Sequence, residues 1–324
     1  MLGSVYPHTA TRHEVACCAG PNTDGEWHRG CRPTVVKCPA IRTAAIATLL
    51  LITTLNRLTL VAEPPALPNR PDSLKFAVIG DNGTGDRPEY DVAAQMIAAR
   101  KGFPFDMVIM LGDNLYGQQQ PDDFIKKFAK PYAPLLDAGV RFYAALGNHD
   151  RQENRSYEPF DMGGQRYYTY ARNNVRFFVL DSNYLDPPQL AWIGSALRSA
   201  TEEWKICYFH HPLYSDGKTH GSSVDLRVKL EPLFVKYGVN AVFSGHDHVY
   251  ERLTPQKGIQ YFVSGSAGQL RKGDVRRSAM TAAAFDEDQS FMLVEVAGSE
   301  MFFEVISRTG VTVDKGVIRR GPNS

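Results

Sequence analysis

Residues 74–83 read Leu-Lys-Phe-Ala-Val-Ile-Gly-Asp-Asn-Gly, and the same form returns down the chain. A compact apolar run stops at Ile79, Gly80 follows, and an acid follows at Asp81. Met107–Leu111 leads into Gly112-Asp113-Asn114-Leu115-Tyr116, and Phe142–Leu146 into Gly147-Asn148-His149-Asp150. Ile206–Phe209 leads into His210-His211-Pro212, and Ala241–Ser244 into Gly245-His246-Asp247-His248. Short apolar runs bounded in this way predict buried strands. In α/β sheets, ligands collect beyond the carboxyl ends of such strands. Five strands therefore deliver carboxylate, amide or imidazole groups to one sheet edge. Glycine precedes the polar residue in four of the five, where it permits a sharp exit from the strand.

Between these runs the spacing turns helical. Tyr90–Lys101, Gln189–Ala200 and Val224–Tyr237 carry helical periodicity, and Asp186-Pro187 reads as an N-cap and first-turn pair. Asp122 and Asp123 sit at a further helix start, where acids suit the dipole. Val175–Leu180 is another strand. After residue 258 the pattern changes to successive strands at Gln260–Ser264, Phe291–Val296, Met301–Ser307 and Val311–Ile318. The expected architecture is an α/β domain with mixed sheets.

Each motif alone is weak. A Gly-Asp after a strand is usually a turn, and a His-His pair is often buried in a core. Gly-His-x-His is stronger, because alternate residues of an extended segment aim at adjacent metals. The order decides the matter: all six histidines after residue 70 fall in or beside these loops.

The series Asp81, Asp113, Asn148-His149, His210 and His246-x-His248 resembles the calcineurin-like metallophosphoesterases over residues 74 to about 255. The resemblance implies a four-layer α/β/β/α sandwich. In many members of that superfamily the first motif is Asp-x-His, but here the position is Gly83, and Tyr116 stands three residues after Asp113. Gly-Asp-x-x-Tyr resembles the purple acid phosphatases, including the tartrate-resistant kind. Tyrosine suits a hard, highly charged cation that can displace its proton. The resemblance implies Fe(III) held by Asp81, Tyr116 and His248, with Asp113 bridging. A divalent Fe, Zn or Mn would be held by Asn148, His210 and His246.

His149 and His220 are implied as catalytic, contacting phosphate or protonating the leaving group, with Asp150 beside His149 to orient it and His220 on a flexible loop. His211 is expected behind the ligands, and Lys218, Arg155 and Arg166 as solvated loop charge. The implied activity is hydrolysis of phosphate monoesters by a metal-bound hydroxide, as in an acid phosphatase. Two alternatives stand beside it: a phosphodiesterase of the same superfamily, acting for example on a cyclic nucleotide, and a secreted metal- or phosphate-binding protein without catalysis.

The chain has 324 residues and a net charge of +1, which gives no global field for nucleic acid. The expected partner is a small phosphorylated substrate, with no obligate protein partner evident. Of five cysteines, Cys17, Cys18, Cys31 and Cys38 lie near the start, so the body, with Cys207 alone, has no internal disulfide. Residues 1–40 read as a disordered extension, or as one the cell does not make because the true start lies downstream. A zinc module there lacks the usual C-x-x-C pair. In residues 41–62, Arg42 precedes the apolar run Thr43–Leu55, which reads as a signal peptide or an uncleaved anchor. Export to the periplasm or outside is expected, with membrane contact only if residues 43–62 remain. Residues 63–73 form a Pro-rich linker, and 74–320 the catalytic domain.

Overall fold

A computed structural model describes residues 66–320. The expectations placed on residues 1–65 lie outside the described residues. The order begins β1 (Leu74–Ile79), α1 (Arg87–Arg100), β2 (Met107–Met110), α2 (Pro121–Phe124), α3 (Lys130–Asp137) and β3 (Arg141–Ala144). Then come β4 (Tyr168–Arg172), β5 (Val175–Val179), α4 (Pro187–Ser199), β6 (Trp204–Tyr208), α5 (Val224–Lys236) and β7 (Ala241–Ser244). The chain closes with β8 (Tyr250–Leu253), β9 (Gln260–Ser264), β10 (Thr281–Phe285), β11 (Ser290–Ala297), β12 (Glu300–Ser307) and β13 (Thr312–Arg319). A π-helical turn, Ile125–Ala129, joins α2 to α3.

Two mixed sheets result. One has the order β13-β12-β11-β1-β2-β3 and the other β10-β8-β9-β7-β6-β5-β4. Strands β1, β2 and β3 run parallel, as do β5, β6, β7 and β9. The remaining pairs are antiparallel.

Alternation along each strand builds the layers. Phe76 and Val78 of β1 enter a core shared with Phe177, Ile206 and Phe243 of the second sheet. Ala77 and Ile79 face the other way, onto Val92, Met96 and Tyr132 of α1 and α3. Phe178 and Cys207 do the same for the second sheet, against Ile193 and Leu197 of α4 and Phe234 of α5. Helix, sheet, sheet and helix stack as the resemblance implied. The strand sequences are apolar on both faces because both faces are covered. Cys207 is buried and unbridged.

The structure adds three strands to the sequence reading, β4, β8 and β10. Strand β9 also leaves the final meander, pairing with β7 in the second sheet. The Asp186 cap is realised, its Oδ1 accepting from Gln189 N at 2.9 Å. Residues 66–73 are strapped to the first sheet: Ala66 N donates to Glu304 Oε2 (2.6 Å), and Asn69 N and Arg70 N to the two oxygens of Glu295 (2.7 and 2.6 Å). Among the described residues no helix is long and apolar enough to cross a membrane.

Candidate metal centre

All five strand-end loops converge on one mouth, and their polar atoms form two groups that share Asp113. In the first group, Tyr116 Oη lies 3.0 Å from Asp81 Oδ1 and 3.1 Å from His248 Nε2, which is itself 3.3 Å from Asp81 Oδ1. Ligand atoms of Asp81, Asp113 and His248 all fall within 4.8 Å of one another. In the second, His210 Nε2 lies 3.0 Å from Asn148 Oδ1, 3.1 Å from His246 Nδ1 and 3.5 Å from Asp113 Oδ1. The structure thus brings together all seven residues expected to hold metal.

The donor set fits cations. His210 Nδ1 faces the Leu111 carbonyl at 3.0 Å, a contact that needs the proton on Nδ1. Its Nε2 then carries a lone pair, turned toward two further acceptor oxygens and a second imidazole nitrogen. Such a convergence of lone pairs needs a positive charge at its centre. The imidazoles are also kept neutral, as ligation requires. Burial, with His211 nearby, lowers His210 well below the usual range. Burial and then Arg271 bring His248 down to about 4. Burial, followed by the charges of Asp81 and Asp113, pushes the Tyr116 phenol up, so only a strongly charged neighbour would release its proton.

The ligand loops are strained and close-packed. Asp81, Asp113 and His246 adopt left-handed backbone at φ 55°, 52° and 71°, an uncommon choice that persists where surroundings enforce it. Glycine therefore serves here less for a sharp exit than for close approach. A Cβ on Gly147 would overlap Asp113 Oδ1, and one on Gly245 would overlap Asp81 Oδ2. Gly83 ties the two departures from the common first motif together. A Cβ there would run into the Asn114 carbonyl, while Tyr116 N donates to Gly83 O at 2.9 Å. The loop that presents Tyr116 occupies the space a side chain at position 83 would need.

His149 and His220 stand at the rim. The His149 ring lies 4.7 Å from that of Tyr116, with Nε2 4.0 Å from Asp113 Oδ2. His220 stacks on His246, ring centroids 4.1 Å apart. Asp150 does not orient His149 as expected. Its carboxylate accepts from Asn114 N, Asn114 Nδ2 and Gly147 N, and from Leu115 N and Asn154 Nδ2, fastening the second and third loops together. Burial pushes Asp150 up to about 7, against the five donors that favour its anion.

The His220 loop is held rather than loose. Asp247 Oδ2 accepts from Ser215 Oγ (2.6 Å) and Gly221 N (3.1 Å), and a Cβ on Gly217 would overlap that carboxylate. His211 packs behind the ligands, its Nδ1 2.8 Å from Ser182 Oγ and its ring 4.3 Å from that of His246. Arg166 is a structural ion-pair residue and not solvated loop charge: it bonds the buried Asp181 (2.9 Å) and Asp186 (2.7 Å). Lys218 spends its ammonium on Gly273 O, and Arg155 bonds Gln152.

Sequence reasoning passed over Gln119. Its amide donates to the Leu115 and His149 carbonyls and accepts from Arg151 N, stapling the tyrosine loop to the asparagine loop. No periodicity marks it within Gln118-Gln119-Gln120. Beside Asn148 opens a cavity of about 600 Å³ lined in part by Arg151, Asn183, Tyr184 and His211, a size that suits a small organic molecule.

The family model described as calcineurin-like phosphoesterase matches residues 74–250. Tartrate-resistant acid phosphatase type 5 of Rattus norvegicus is 26% identical over 301 residues, which span 77% of this chain and 91% of that protein. A purple acid phosphatase from yellow lupin (Lupinus luteus) seeds superposes with a TM-score of 0.65 at 18% identity, covering 79% of this chain and 55% of that one. GAP50, described as the anchor in the inner membrane complex of Plasmodium, superposes with a TM-score of 0.66 at 18% identity, covering 77% of this chain and 89% of that one. At these identities the two structures speak for the fold.

Proposed function

The chain belongs to the calcineurin-like phosphoesterase family, and from that premise we propose that it is a binuclear-metal acid phosphatase of the purple type, hydrolysing small phosphate monoesters. The observation that carries this reading is the pair of acceptor clusters joined by Asp113, with Tyr116 seated where Gly83 makes room. Asp81, Tyr116 and His248 would hold Fe(III), Asn148, His210 and His246 a divalent Fe, Zn or Mn, and Asp113 would bridge them. Two such ions supply Lewis acidity toward phosphate oxygens and acidify a water.

The chain's own groups do the rest. Asn148 adds a ligand oxygen without adding charge, which keeps the site receptive to an anion. His149 and His220 flank the mouth, where an imidazole can pass a proton to the departing oxygen. The cavity beside Asn148 leaves room for the leaving group. Nothing in the net charge calls for nucleic acid, and no obligate protein partner is needed to complete the site. Export, with membrane contact only through a retained 43–62 segment, accords with the basic flank and apolar run there.

A phosphodiesterase of the same fold would be expected to carry a histidine at position 83, where packing against Asn114 leaves no space. A non-catalytic role, such as the anchor role described for GAP50, predicts lost ligands, whereas all seven are present. The test is metal analysis, a visible spectrum and phosphate release from an aryl monoester at acid pH, with a diester in parallel. Iron, colour and a preference for the monoester are expected. A colourless, iron-free and inactive protein would refute the reading.

A further inference from the structure

We infer that Arg271 is a phosphate-binding arm of this centre, pairing with oxygens of the substrate phosphate that the metals leave uncovered. This rests on the phosphatase reading above. Arg271 sits on the segment following β9, which is laid across the first ligand group. Ala267 N donates to Gly80 O (3.1 Å), Gln269 N to Asp81 O (3.0 Å) and Arg271 N to His248 O (2.9 Å). From the other side, the His220 loop is pinned to the same segment. Lys218 N donates to Asp274 O, Thr219 Oγ1 to Asp274 Oδ1 (both 2.8 Å), and Gly217 pairs with Val275. Arg271 is therefore carried close to both His248 and His220. Its charge registers on both, as the second contribution after burial holding each imidazole low.

Among the described residues, one nitrogen of the guanidinium lacks a partner. Arg271 is half-buried, its Nη1 is covered, and no acceptor meets that atom. Covering a charged N–H without an acceptor is unfavourable, so an anion is expected to complete it. The nearby carboxylates are already engaged. Asp81 and Asp113 face the metal positions, Asp247 is bonded to Ser215 and Gly221, and Asp274 to Thr219. A phosphate bound at the mouth supplies the missing acceptor, and arginine's planar fork matches two phosphate oxygens at once. Other cations are committed elsewhere, Lys218 to Gly273 and Arg166 to Asp181 and Asp186.

The test uses the full metal-loaded chain with para-nitrophenyl phosphate as substrate and inorganic phosphate as inhibitor. Arg271→Ala should raise KM and the phosphate inhibition constant together by about 10- to 100-fold, with a smaller change in kcat and unchanged metal content. Arg271→Lys, which keeps the charge and loses the fork, should recover part of both. Unchanged constants in Arg271→Ala overturn the proposal. So does loss of metal in both variants, which would make Arg271 a support for His248. Calorimetry with inorganic phosphate separates the two readings: phosphate bound through Arg271 without turnover leaves the arm standing and removes the phosphatase.

Discussion

Asp247 lies between two ligands, yet its carboxylate turns to the loop that carries His220. Replacing it with alanine removes acceptors for Ser215 Oγ and Gly221 N. A hydrogen bond to a charged group contributes about 1.5–3 kcal/mol. The loop keeps its bonds to Asp274 at the surface, so the bias lost from the held position is about 2–3 kcal/mol rather than the full sum. At 1.36 kcal/mol per tenfold, that displaces His220 enough to lower kcat by roughly 30- to 150-fold. The ceiling is set by the proton donor itself, worth about 100- to 10,000-fold.

The assay is a double-mutant cycle read in kcat, with metal content measured on each protein. His220→Ala should lower kcat on its own, and Asp247→Ala added to it should cost little more, because the loop then carries nothing to position. Asp247→Asn, which keeps the shape and one acceptor, should fall between. Additive losses in the double variant would refute the reasoning. Loss of metal in Asp247→Ala would do the same, by showing that Asp247 serves its neighbouring ligands instead.

Tyr116→Phe removes the hydroxyl that reaches Asp81 and His248. It should abolish the visible band and weaken the first-site metal by at least about 10-fold while sparing the second, as measured by metal analysis and absorption. Gly147→Ala should expel Asp113 from its position, with loss of both metals and a stability drop of about 1–3 kcal/mol in urea unfolding; a metal-replete variant would contradict the packing argument. Glu89 is buried, and burial raises its carboxyl well above the ordinary range despite the Gly85 N–H at 2.6 Å. The folded state therefore holds that proton more tightly than the unfolded chain, and this contribution to stability fades as pH rises from the ordinary glutamate range through the raised value. Glu89→Gln should flatten stability against pH over that window, and an unchanged slope would speak against it.

Much of the fold was legible because its parallel strands are covered on both faces and so read as uninterrupted apolar runs. Strands β1, β7 and β9 have the predicted limits. The strands that escaped notice gain their identity from pairing. Strand β4 is a half-buried edge, and β10, Thr-Ala-Ala-Ala-Phe, has little strand propensity and is held by β8. The ligands were legible because carboxylate, amide, phenol and imidazole at strand ends already name a chemistry. Their supports were not. Arg166 and Asp247 look like ordinary loop charges, and Asp150 like a neighbour of His149; each acquires its task only when the fold brings it a distant partner. Arg166 meets Asp181 across fifteen residues, and Asp247 meets Ser215 across thirty-two. The glycines fell in between: their positions were plain, but close approach to a neighbouring carboxylate could not be read from one strand at a time.

The strap at residues 66–73 has a mechanical consequence. Tension arriving along the chain from before residue 66 first meets the clasp formed by Glu304 and Glu295. Glu295 takes Asn69 and Arg70 with short bonds and is itself fully buried. Beyond the clasp lies the six-residue length of β1, about 20 Å at strand rise, before the backbone reaches Asp81. A load on the leading segment would thus be borne at the far end of the sheet from the mouth, and the strained ligand loops would be shielded from it.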